Sequence, residues 1–396
     1  MKILQLVVYY PPAWGYGGPP RAMFSLARGL QQRGHHVTVF TTDVWDESRR
    51  ITERQRVLDG VEVHAFPNLS NRLAWRRKVF VPWGLVPALR RRVREFDVVH
   101  ISGVRSFLHA RVHRILRARG VPYVIDAHGA LPKPVGWRRP AAALWDPAFL
   151  VPMLQGAGAL LAQTRHEADL YRSYAPEGRV EALPLPVELT EFEHPAPIGV
   201  LRERLGVDAD TFVVLFLGRI ERRKGLEFLL EAYARFARRA HRPTRLVIVG
   251  RDSGSLAEVQ VQISTLGLDR QVALLGPLYG EERLAAYREA DVFALTPGYW
   301  EETSLAALEA CASGTPCLIT VQAEVPGLDE SGAGRTVRYG DHDAVVSFLA
   351  SLAGDPGLRQ RMGAAAAGLV RRTFAADHVA TRLEGIFQRI LSAAPA

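Results

Sequence analysis

Short apolar runs alternate with stretches of helical periodicity along most of the chain, and this alternation limits the folds that the chain can adopt. In the first half the strand-like runs include ILQLVVYY, VTVFTT, EFDVVHISG, VPYVIDAHG and ALLAQT. The second half repeats the pattern with TFVVLFLG, RLVIVG, QVALLG, DVFALT and PCLIT. Because strands separated by helices pair in parallel and bury both faces, the pattern predicts an α/β fold with two Rossmann-like, doubly wound parallel sheets.

A proline-rich stretch separates the two halves. LPLPVELTEFEHPAPIG, residues 183–199, holds four prolines and three glutamates and favours neither helix nor strand. The tail FAADHVATRLEGIFQRIL has apolar residues at helical spacing but no strand-like partner. We therefore predict a first domain over residues 1–188, a second over 189–375, and a helix that packs back over 376–396.

The chain has 396 residues, 48% of them hydrophobic, which is enough for two cores and excludes a disordered protein. Its net charge of +9 is unevenly distributed. Residues 1–190 carry 27 Lys and Arg against 15 Asp and Glu, whereas residues 191–396 carry 23 against 26. The basic first half predicts an anionic partner, with a membrane, a phosphorylated acceptor and nucleic acid as the alternatives.

Two features predict a cytosolic protein. The chain has no run of eighteen apolar residues, and its start, MKILQLVVYYPP, is too short an apolar segment for a signal peptide.

Cys311 and Cys317 lie six residues apart without a His or Cys at metal-ligand spacing, so we interpret them as reduced core residues.

A glycine-rich loop follows the first strand. PPAWGYGGPPR places Gly15, Gly17 and Gly18 before a predicted helix, where backbone N–H groups can approach a phosphate. The alternative is an ordinary strand-to-helix turn. The loop is not G-x-G-x-x-G, and Asp43 alone offers an acidic residue at the next strand, so NAD binding is disfavoured.

The second half opens with cations at the end of a strand. In FLGRIERRKGLEFL, Arg219 follows the apolar run directly and Lys224 precedes the next helix. Two cations at the carboxyl end of a strand in a doubly wound sheet suit a diphosphate. The alternative is a solvated basic turn, which Arg222 and Arg223 fit better than Arg219 does.

A carboxylate stands in an otherwise apolar helix in PGYWEETSLAALEACASG, residues 297–314. A helix capped by Thr303 or Ser304 carries Glu309 into its second turn, where an unpaired carboxylate costs several kcal/mol. Glu309 therefore needs a partner. Glu301 stands eight positions earlier, so the two glutamates bracket a helix N-terminus, which attracts anions.

Taken together, GRIERRKG, the E-x7-E pair Glu301 and Glu309, the early GG loop and RGHHVTVFT resemble the retaining glycosyltransferases of family 4, which have the GT-B fold. The similarity extends over nearly the whole chain. It implies two Rossmann-like domains that face a cleft, and an enzyme that moves a hexose-type sugar from a nucleoside diphosphate sugar to an acceptor hydroxyl with retention.

The resemblance also implies roles for residues of the second domain. Arg219 and Lys224 match the pair that neutralises the departing diphosphate. Glu301 matches the glutamate that contacts the transferred sugar, and Glu309 the one that binds the ribose hydroxyls. The positions where backbone N–H groups meet phosphate correspond to Thr303, Ser304 and Leu305.

In the first domain, Gly17 and Gly18 match the glycine loop that faces the sugar donor, and His128 matches a histidine near the reacting centre. A lone histidine after a strand is otherwise as often a structural residue. Two departures from the family pattern stand out. Glu302 follows Glu301 where many relatives have glycine, so it is an alternative to Glu301, and PLPVE at 184–188 replaces P-N-G-V-D.

No metal and no cofactor is expected, because Arg219 and Lys224 can offset the charge of the leaving group. Asp341-His342-Asp343 has the D-x-D spelling of metal-dependent transferases of another fold, but its place before a helical stretch predicts a helix cap. The expected partners are a nucleotide-sugar donor and a glycan or lipid-linked acceptor, and no nucleic acid. The alternatives are an epimerase or phosphorylase of the same fold, or a non-catalytic basic module that binds membrane or nucleic acid.

Residues 71–96, NRLAWRRKVFVPWGLVPALRRRVREF, mix aromatic and basic side chains. Trp75, Phe80 and Trp83 beside several arginines suit a lipid-water interface, which yields the hypothesis of a peripheral contact with an anionic membrane. The alternative is a solvated basic helix with some buried aromatic residues.

Overall fold

The computed structural model describes residues 1–133, 139–193 and 199–393. The chain divides into two units, Met1–Pro186 with Ala376–Ala396, and Val187–Ala375. The second unit thus begins two residues before the predicted boundary, and the last helix belongs to the first unit. Residues 194–198 of the predicted linker lie outside the described residues.

The first unit is built on an eight-stranded sheet in the order β3-β4-β2-β1-β5-β6-β7-β8, with β3 antiparallel to β4 and the remaining pairs parallel. β3, β4 and β8 were not predicted from the sequence; β3 and β8 are the edge strands, and β4 lies next to β3. The strands are β1 (Lys2–Leu6), β2 (His36–Thr42), β3 (Gln55–Leu58), β4 (Val61–Phe66), β5 (Val98–Ser102), β6 (Tyr123–Asp126), β7 (Ala159–Ala162) and β8 (Val180–Ala182).

The second unit is built on a six-stranded sheet in the order β11-β10-β9-β12-β13-β14, and every pair is parallel. The order reverses between β9 and β12, as in doubly wound folds. The strands are β9 (Phe212–Leu217), β10 (Thr244–Val249), β11 (Val272–Gly276), β12 (Val292–Leu295), β13 (Cys317–Thr320) and β14 (Gly334–Val337). The parallel pairing of all strands except β3 confirms the predicted α/β class.

Helices connect the strands in both units. In the first unit they are α1 (Gly18–Gln32), α2 (Asn71–Arg77), α3 (Leu85–Arg92), α4 (Phe107–Arg119), α5 (Arg139–Trp145), α6 (Val151–Gln155), α7 (Arg165–Tyr174) and, at the end of the chain, α16 (Ala376–Ala393). In the second unit they are α8 (Thr190–Glu193), α9 (Val200–Leu205), α10 (Leu226–Ala237), α11 (Leu256–Thr265), α12 (Gly280–Glu289), α13 (Leu305–Ala312), α14 (His342–Gly354) and α15 (Pro356–Leu369).

The terminal helix packs on α1, as the apolar spacing of the tail predicts. Its buried residues Val379, Leu383 and Phe387 join the core that β1 and α1 form on one face of the first sheet. A Cβ at Gly29 of α1 would lie 2.7 Å from the Cβ of Ala380, so the two helices approach closely at that point. At the rim, Glu384 pairs with Arg33.

The two cysteines are buried and free, in agreement with the prediction. Their Sγ atoms lie 3.4 Å apart between α13 and β13, in the core of the second unit. Burial raises the pKa of the Cys317 thiol well above its usual value, so this group is held as a neutral thiol.

Candidate active site

The predicted residues of the second unit follow the strands on either side of the point where the strand order reverses. Arg219 follows β9 after Gly218, and Glu301 lies in the loop between β12 and α13. The carboxyl ends of parallel strands meet at one edge of the sheet, and a ligand of a doubly wound sheet binds at this reversal. The sheet therefore places both loops at the expected ligand edge.

Close backbone packing holds these two loops together. Gly225, between Lys224 and α10, has φ 65°, and a Cβ there would lie 1.8 Å from the carbonyl oxygen of Thr296. The Thr296 hydroxyl donates to the Gly225 carbonyl at 3.0 Å. Since any larger residue at 225 would clash, glycine permits the loop after β9 to lie against the end of β12.

Lys224 and Glu301 are brought into contact across these loops. The ammonium of Lys224 pairs with Oε1 of Glu301, and the two side chains are 12% and 23% exposed. The second oxygen, Oε2, is buried and accepts no hydrogen bond from the described residues. A buried acceptor without a partner is costly, so this oxygen can gain a hydrogen bond from a ligand hydroxyl.

Two arginines lie at the ends of neighbouring strands. Arg219 pairs with Glu221 at 2.9 Å. Burial, and then the charge of Arg219, lower the pKa of Arg251, which follows β10. A Cβ at Gly250 would lie 1.7 Å from the Gly218 carbonyl oxygen, so the two Gly-Arg turns approach closely. Arg251 was not among the predicted site residues, although RLVIVGRD repeats the strand-Gly-Arg pattern of FLGR.

Glu309 has the partner that its burial requires, and that partner is a cation on α12. Oε2 of Glu309 lies 2.5 Å from Nη1 of Arg283 and accepts from the Tyr287 hydroxyl at 2.9 Å. Burial by itself lowers the pKa of Arg283, but Glu309 raises it above its usual value. Arg283 was not among the predicted site residues, although Arg283 and Tyr287 stand four residues apart and hence on one helical face.

We expect Glu309→Gln to weaken the binding of free nucleoside diphosphate by about tenfold, because a charge-assisted hydrogen bond to a ribose hydroxyl would be lost. Calorimetry measures this affinity directly. Tyr287→Phe is the matched control, since it removes a contact to the same carboxylate and leaves the charge in place. Equal affinities for the wild type and Glu309→Gln would contradict the ribose assignment.

The chain between the two glutamates forms the entry to α13. Glu302 has φ 62° and is only 2% exposed, so its side chain is buried whereas that of Glu301 is partly open. The Thr303 hydroxyl donates to the Glu324 carbonyl at 3.1 Å. Ser304 is the N-cap residue but makes no side-chain cap, and Leu305 is the first helical residue. The first turn of α13 therefore keeps backbone N–H groups that Ser304 does not satisfy.

The structure brings together some of the predicted residues and not others. Lys224 and Glu301 are in contact. Lys224 also lies close to the residue before Arg219, because its Cε would be 3.9 Å from a Cβ at Gly218. Glu309 is held instead by Arg283. Gly17, Gly18 and His128 belong to the first unit.

In the first unit, Gly17 and Gly18 form the start of α1. Gly17 has φ 103° and precedes the helix, whose first residues are Gly18, Pro19 and Pro20. The loop follows β1, and the strand order of this sheet reverses between β1 and β5. The glycines therefore lie at the edge of the first sheet where ligands of doubly wound sheets bind, a position that an ordinary strand-to-helix turn would also have.

His128 is 9% exposed and lies in a buried polar network at the end of β6. The side-chain amide of Gln163 donates to Nδ1 of His128 at 2.7 Å and also to the carboxylate of Asp126. Nδ1 therefore accepts, and the ring proton lies on Nε2, which is buried without a partner among the described residues. Burial lowers the pKa of His128 to about 4, so the ring is neutral near pH 7.

We expect Gln163→Met to reverse this tautomer. Burial raises the pKa of Asp126 to about 7, so the measurement is made above about pH 8, where this group is a carboxylate. Nδ1 lies 3.3 Å from Oδ1 of Asp126, so without the amide donor the proton moves to Nδ1 and is donated to that carboxylate. Nitrogen NMR of the histidine ring distinguishes the two tautomers. A ring proton that stays on Nε2 in the variant would contradict the positioning role of Gln163.

Two of the three aromatic side chains that the membrane hypothesis invokes in residues 71–96 are only partly exposed. Trp75 and Phe80 are only half-exposed, because they pack on the ring of Tyr16 at centroid distances of 5.1 and 5.9 Å. Trp83 is 66% exposed. We use the name exposed patch for Trp83 with Leu69, Leu73, Val79 and Val81, which are also exposed. Backbone hydrogen bonds join Leu69 to Val81 and Val79 to Leu73.

Three further expectations concern caps, metals and membranes. Asp341 caps α14 by accepting from the backbone N–H of Ala344 at 3.0 Å, which confirms the predicted helix cap. Within residues 1–133, 139–193 and 199–393, no three His, Cys, Asp or Glu side chains form a group that could hold a metal ion. No helix among the same residues combines the length and apolar character needed to cross a bilayer.

Comparison with solved structures supports the fold. Sucrose-phosphate synthase from Thermosynechococcus elongatus covers 99% of this chain and is itself covered completely, with a TM-score of 0.75 at 20% identity. Anabaena HepE, solved in complex with UDP and glucose, covers 98% of the chain with a TM-score of 0.73 at 19% identity. At these identities the likeness concerns the fold alone.

Sequence comparison supports the family. Residues 198–368 match the family described as glycosyl transferases group 1, and residues 17–186 match the glycosyl transferase 4-like domain. The D-inositol 3-phosphate glycosyltransferase of Xylanimonas cellulosilytica is 31% identical over 96% of this chain and 93% of its own length. That of Kineococcus radiotolerans is 32% identical over 89% and 86%. The chain therefore belongs to the group 1 glycosyltransferases, family 4, with the GT-B fold.

Proposed function

We propose that this glycosyltransferase moves a hexose-type sugar from a nucleoside diphosphate sugar to an acceptor hydroxyl with retention of configuration and without a metal ion. The observation that carries the proposal is the contact between Lys224 and Glu301 at the strand reversal of the second unit. It places a cation suited to a leaving diphosphate beside a carboxylate oxygen that lacks a hydrogen bond. The proposed transfer uses the cation for the leaving group and the oxygen for the sugar.

In this proposal Arg219 and Lys224 bind the diphosphate, and Arg251 adds a third positive charge at the same edge. The charge that develops on the departing diphosphate is stabilised by these fixed cations, which lower the barrier because they need no rearrangement during the reaction. No residue serves as a covalent nucleophile. The same cations make a divalent ion unnecessary for the departure of the leaving group.

The remaining residues bind and orient the sugar donor. Oε2 of Glu301 accepts a hydroxyl of the transferred sugar, and the carboxylate of Glu309, held by Arg283, accepts the ribose hydroxyls. Backbone N–H groups at Thr303, Ser304 and Leu305 bind phosphate oxygens, as helix N-termini do. In the first unit, Gly17 and Gly18 permit close approach to the donor, and Nε2–H of His128 donates to a sugar oxygen.

Two comparisons support the substrate classes. HepE, whose fold is similar, was solved with UDP and glucose, which supports a nucleotide sugar as donor. The sequence relatives are named for an inositol phosphate acceptor, which supports a polar hydroxyl acceptor. We propose a glycan or a lipid-linked glycan as the acceptor class, and a cytoplasmic location.

The test is a donor screen followed by product analysis. A nucleotide sugar that binds only the folded protein raises the melting temperature, so UDP-, GDP- and ADP-sugars are compared first. The proton NMR spectrum of the product then gives the anomeric configuration, with and without a chelator. Inversion of the anomeric centre, or loss of activity on chelation, would contradict the proposal. A changed donor sugar without any transfer would indicate an epimerase instead.

We further propose that the exposed patch of the first unit contacts an anionic membrane at the inner face of the cell membrane. The five apolar side chains lie beside the exposed residues Arg72, Arg76, Arg77 and Lys78. Apolar residues can enter the lipid interface while each neighbouring cation adds about 1 kcal/mol.

We expect the protein to sediment with anionic vesicles at low salt and to be released at moderate salt, because screening weakens surface attraction. Replacing Trp83 and Arg77 with serine should reduce the bound fraction several-fold, whereas Arg235→Ser, on an exposed position of the second unit, should not. If the protein ignores anionic vesicles even at low salt, the acceptor is presented in solution.

A further inference from the structure

A groove lies on the flank of the first unit, between α4 and the segment 148–152. Its volume is about 470 Å³, and it is lined by Ala110, His113, Arg114, Arg117, Ala118, Ala148, Phe149 and Pro152. Ala110, His113, Arg114 and Arg117 recur at helical spacing, so they occupy one face of α4. None of these residues belongs to the site proposed for sugar transfer.

The charged and titratable side chains of the groove are all basic. They are His113, Arg114 and Arg117, and no acidic residue of the described ranges lines it. The guanidinium of Arg114 lies over the ring of Phe149 at 5.6 Å, which holds the cation at the groove. The carboxylate of Asp146, just before the segment, is instead bound by Arg105 at 2.9 and 3.1 Å. The positive charge of the groove is therefore not offset from within the groove.

His113 has a defined tautomer that leaves one nitrogen for a ligand. The hydroxyl of Tyr123 donates to the carbonyl of Met153 at 2.8 Å, so it accepts from Nδ1 of His113, also at 2.8 Å. Nε2 of the neutral ring is then a bare acceptor, and no described residue donates to it. Burial, Arg117 and Arg114 lower the pKa of His113, because they disfavour a second positive charge at this place.

We propose that this groove binds a phosphate group through Arg114, Arg117 and the imidazole of His113. Arginine donates paired hydrogen bonds to phosphate oxygens, and a bound dianion offsets the two guanidinium charges. Nε2 of His113 then takes up a proton from the ligand or from water and becomes a third donor. The apolar lining, Phe149 and Pro152 among it, accommodates the carbon portion of a phosphate ester.

Both a soluble phosphate ester and a lipid head group carry a phosphate that these side chains could bind. Phe107, at the start of α4, is 73% exposed and packs on Trp145 of α5 at a centroid distance of 4.6 Å. Leu144, the residue before Trp145, is 80% exposed. They provide apolar contacts for a lipid source. The two sources are distinguished by the experiment.

The test is a titration of the protein with inorganic phosphate, in which the NMR signals of the His113 imidazole are followed. We expect a saturable shift in the wild type together with a rise in the pKa of His113, and at least about a tenfold loss of affinity in Arg114→Ser/Arg117→Ser. Arg111→Ser is the matched control, because Arg111 is exposed on the same helix but does not line the groove. A melting curve checks that the variants fold.

Vesicles of phosphatidylcholine with and without phosphatidic acid provide the second arm. Binding that requires phosphatidic acid and is lost in the double variant but not in Arg111→Ser identifies the lipid head group as the source. Saturation by inorganic phosphate alone identifies a soluble ligand. The proposal is overturned if His113 responds to neither probe, or if the double variant binds both as the wild type does.

Discussion

Replacing Lys224 with alanine is expected to lower turnover by at least about a hundredfold with the fold intact. The ammonium is the buried cation of the strand reversal, and removing one fixed donor to a developing negative charge has an effect of this size. Arg219→Ala should lose a comparable factor, because Arg219 lies at the start of the same loop after β9. Steady-state kinetics with the donor identified by the screen measures both.

Arg222→Ala is the matched control, because Arg222 lies in the same turn as Lys224 but is exposed. It should keep near-normal turnover. A Lys224→Ala protein that retains near-normal turnover with the correct donor would show that the diphosphate binds elsewhere. Melting curves separate this outcome from loss of structure, since Lys224→Ala also leaves Glu301 without its ion pair.

Glu301→Gln is expected to lower turnover with the sugar donor by about a hundredfold and to leave the affinity for free nucleoside diphosphate nearly unchanged. The substitution keeps the volume of the side chain but replaces a charged acceptor, and a contact made to the sugar in the transition state appears in turnover. Single-turnover rates and calorimetry on the same preparation measure the two effects separately.

Glu302→Gln decides between the two adjacent glutamates. The side chain of Glu302 is buried at 2% exposure, so its replacement should change stability more than turnover. If Glu302→Gln has the larger effect on turnover in folded protein, the sugar contact belongs to Glu302. If Glu301→Gln weakens nucleoside diphosphate binding as strongly as it lowers turnover, Glu301 binds the nucleotide and not the sugar.

The central strands were predictable because each is a short run of apolar residues buried on both faces. The apolar composition of strands such as β9, FVVLFL, and β10, TRLVIV, therefore indicates that they are buried. Edge strands lack such an apolar run. The residues of β3 are exposed or half-buried, and Val57 among them is 68% exposed. Its pairing with β4 was therefore known only from the structure.

Residues of the candidate site were predictable where a charged residue stands among apolar neighbours in the sequence. Glu309 within an apolar helix and Arg219 after an apolar strand are such residues, and each signals a need for a partner. The identity of the partner was not predictable. Arg283 lies 26 residues before Glu309, and an ordinary helical sequence gives no sign of which residue its arginine will meet.

By itself, the sequence determined the alternation of strands and helices, the two parallel sheets and the glycines that permit tight turns, because these depend on periodicity and local backbone geometry. The tertiary structure alone decided that Lys224 meets Glu301, that Arg251 joins Arg219, and that Gln163 directs the ring proton of His128. Such contacts join residues that are distant in the chain. They arise when sheet order brings separate strand ends to one edge, and sheet order follows from the packing of the whole core.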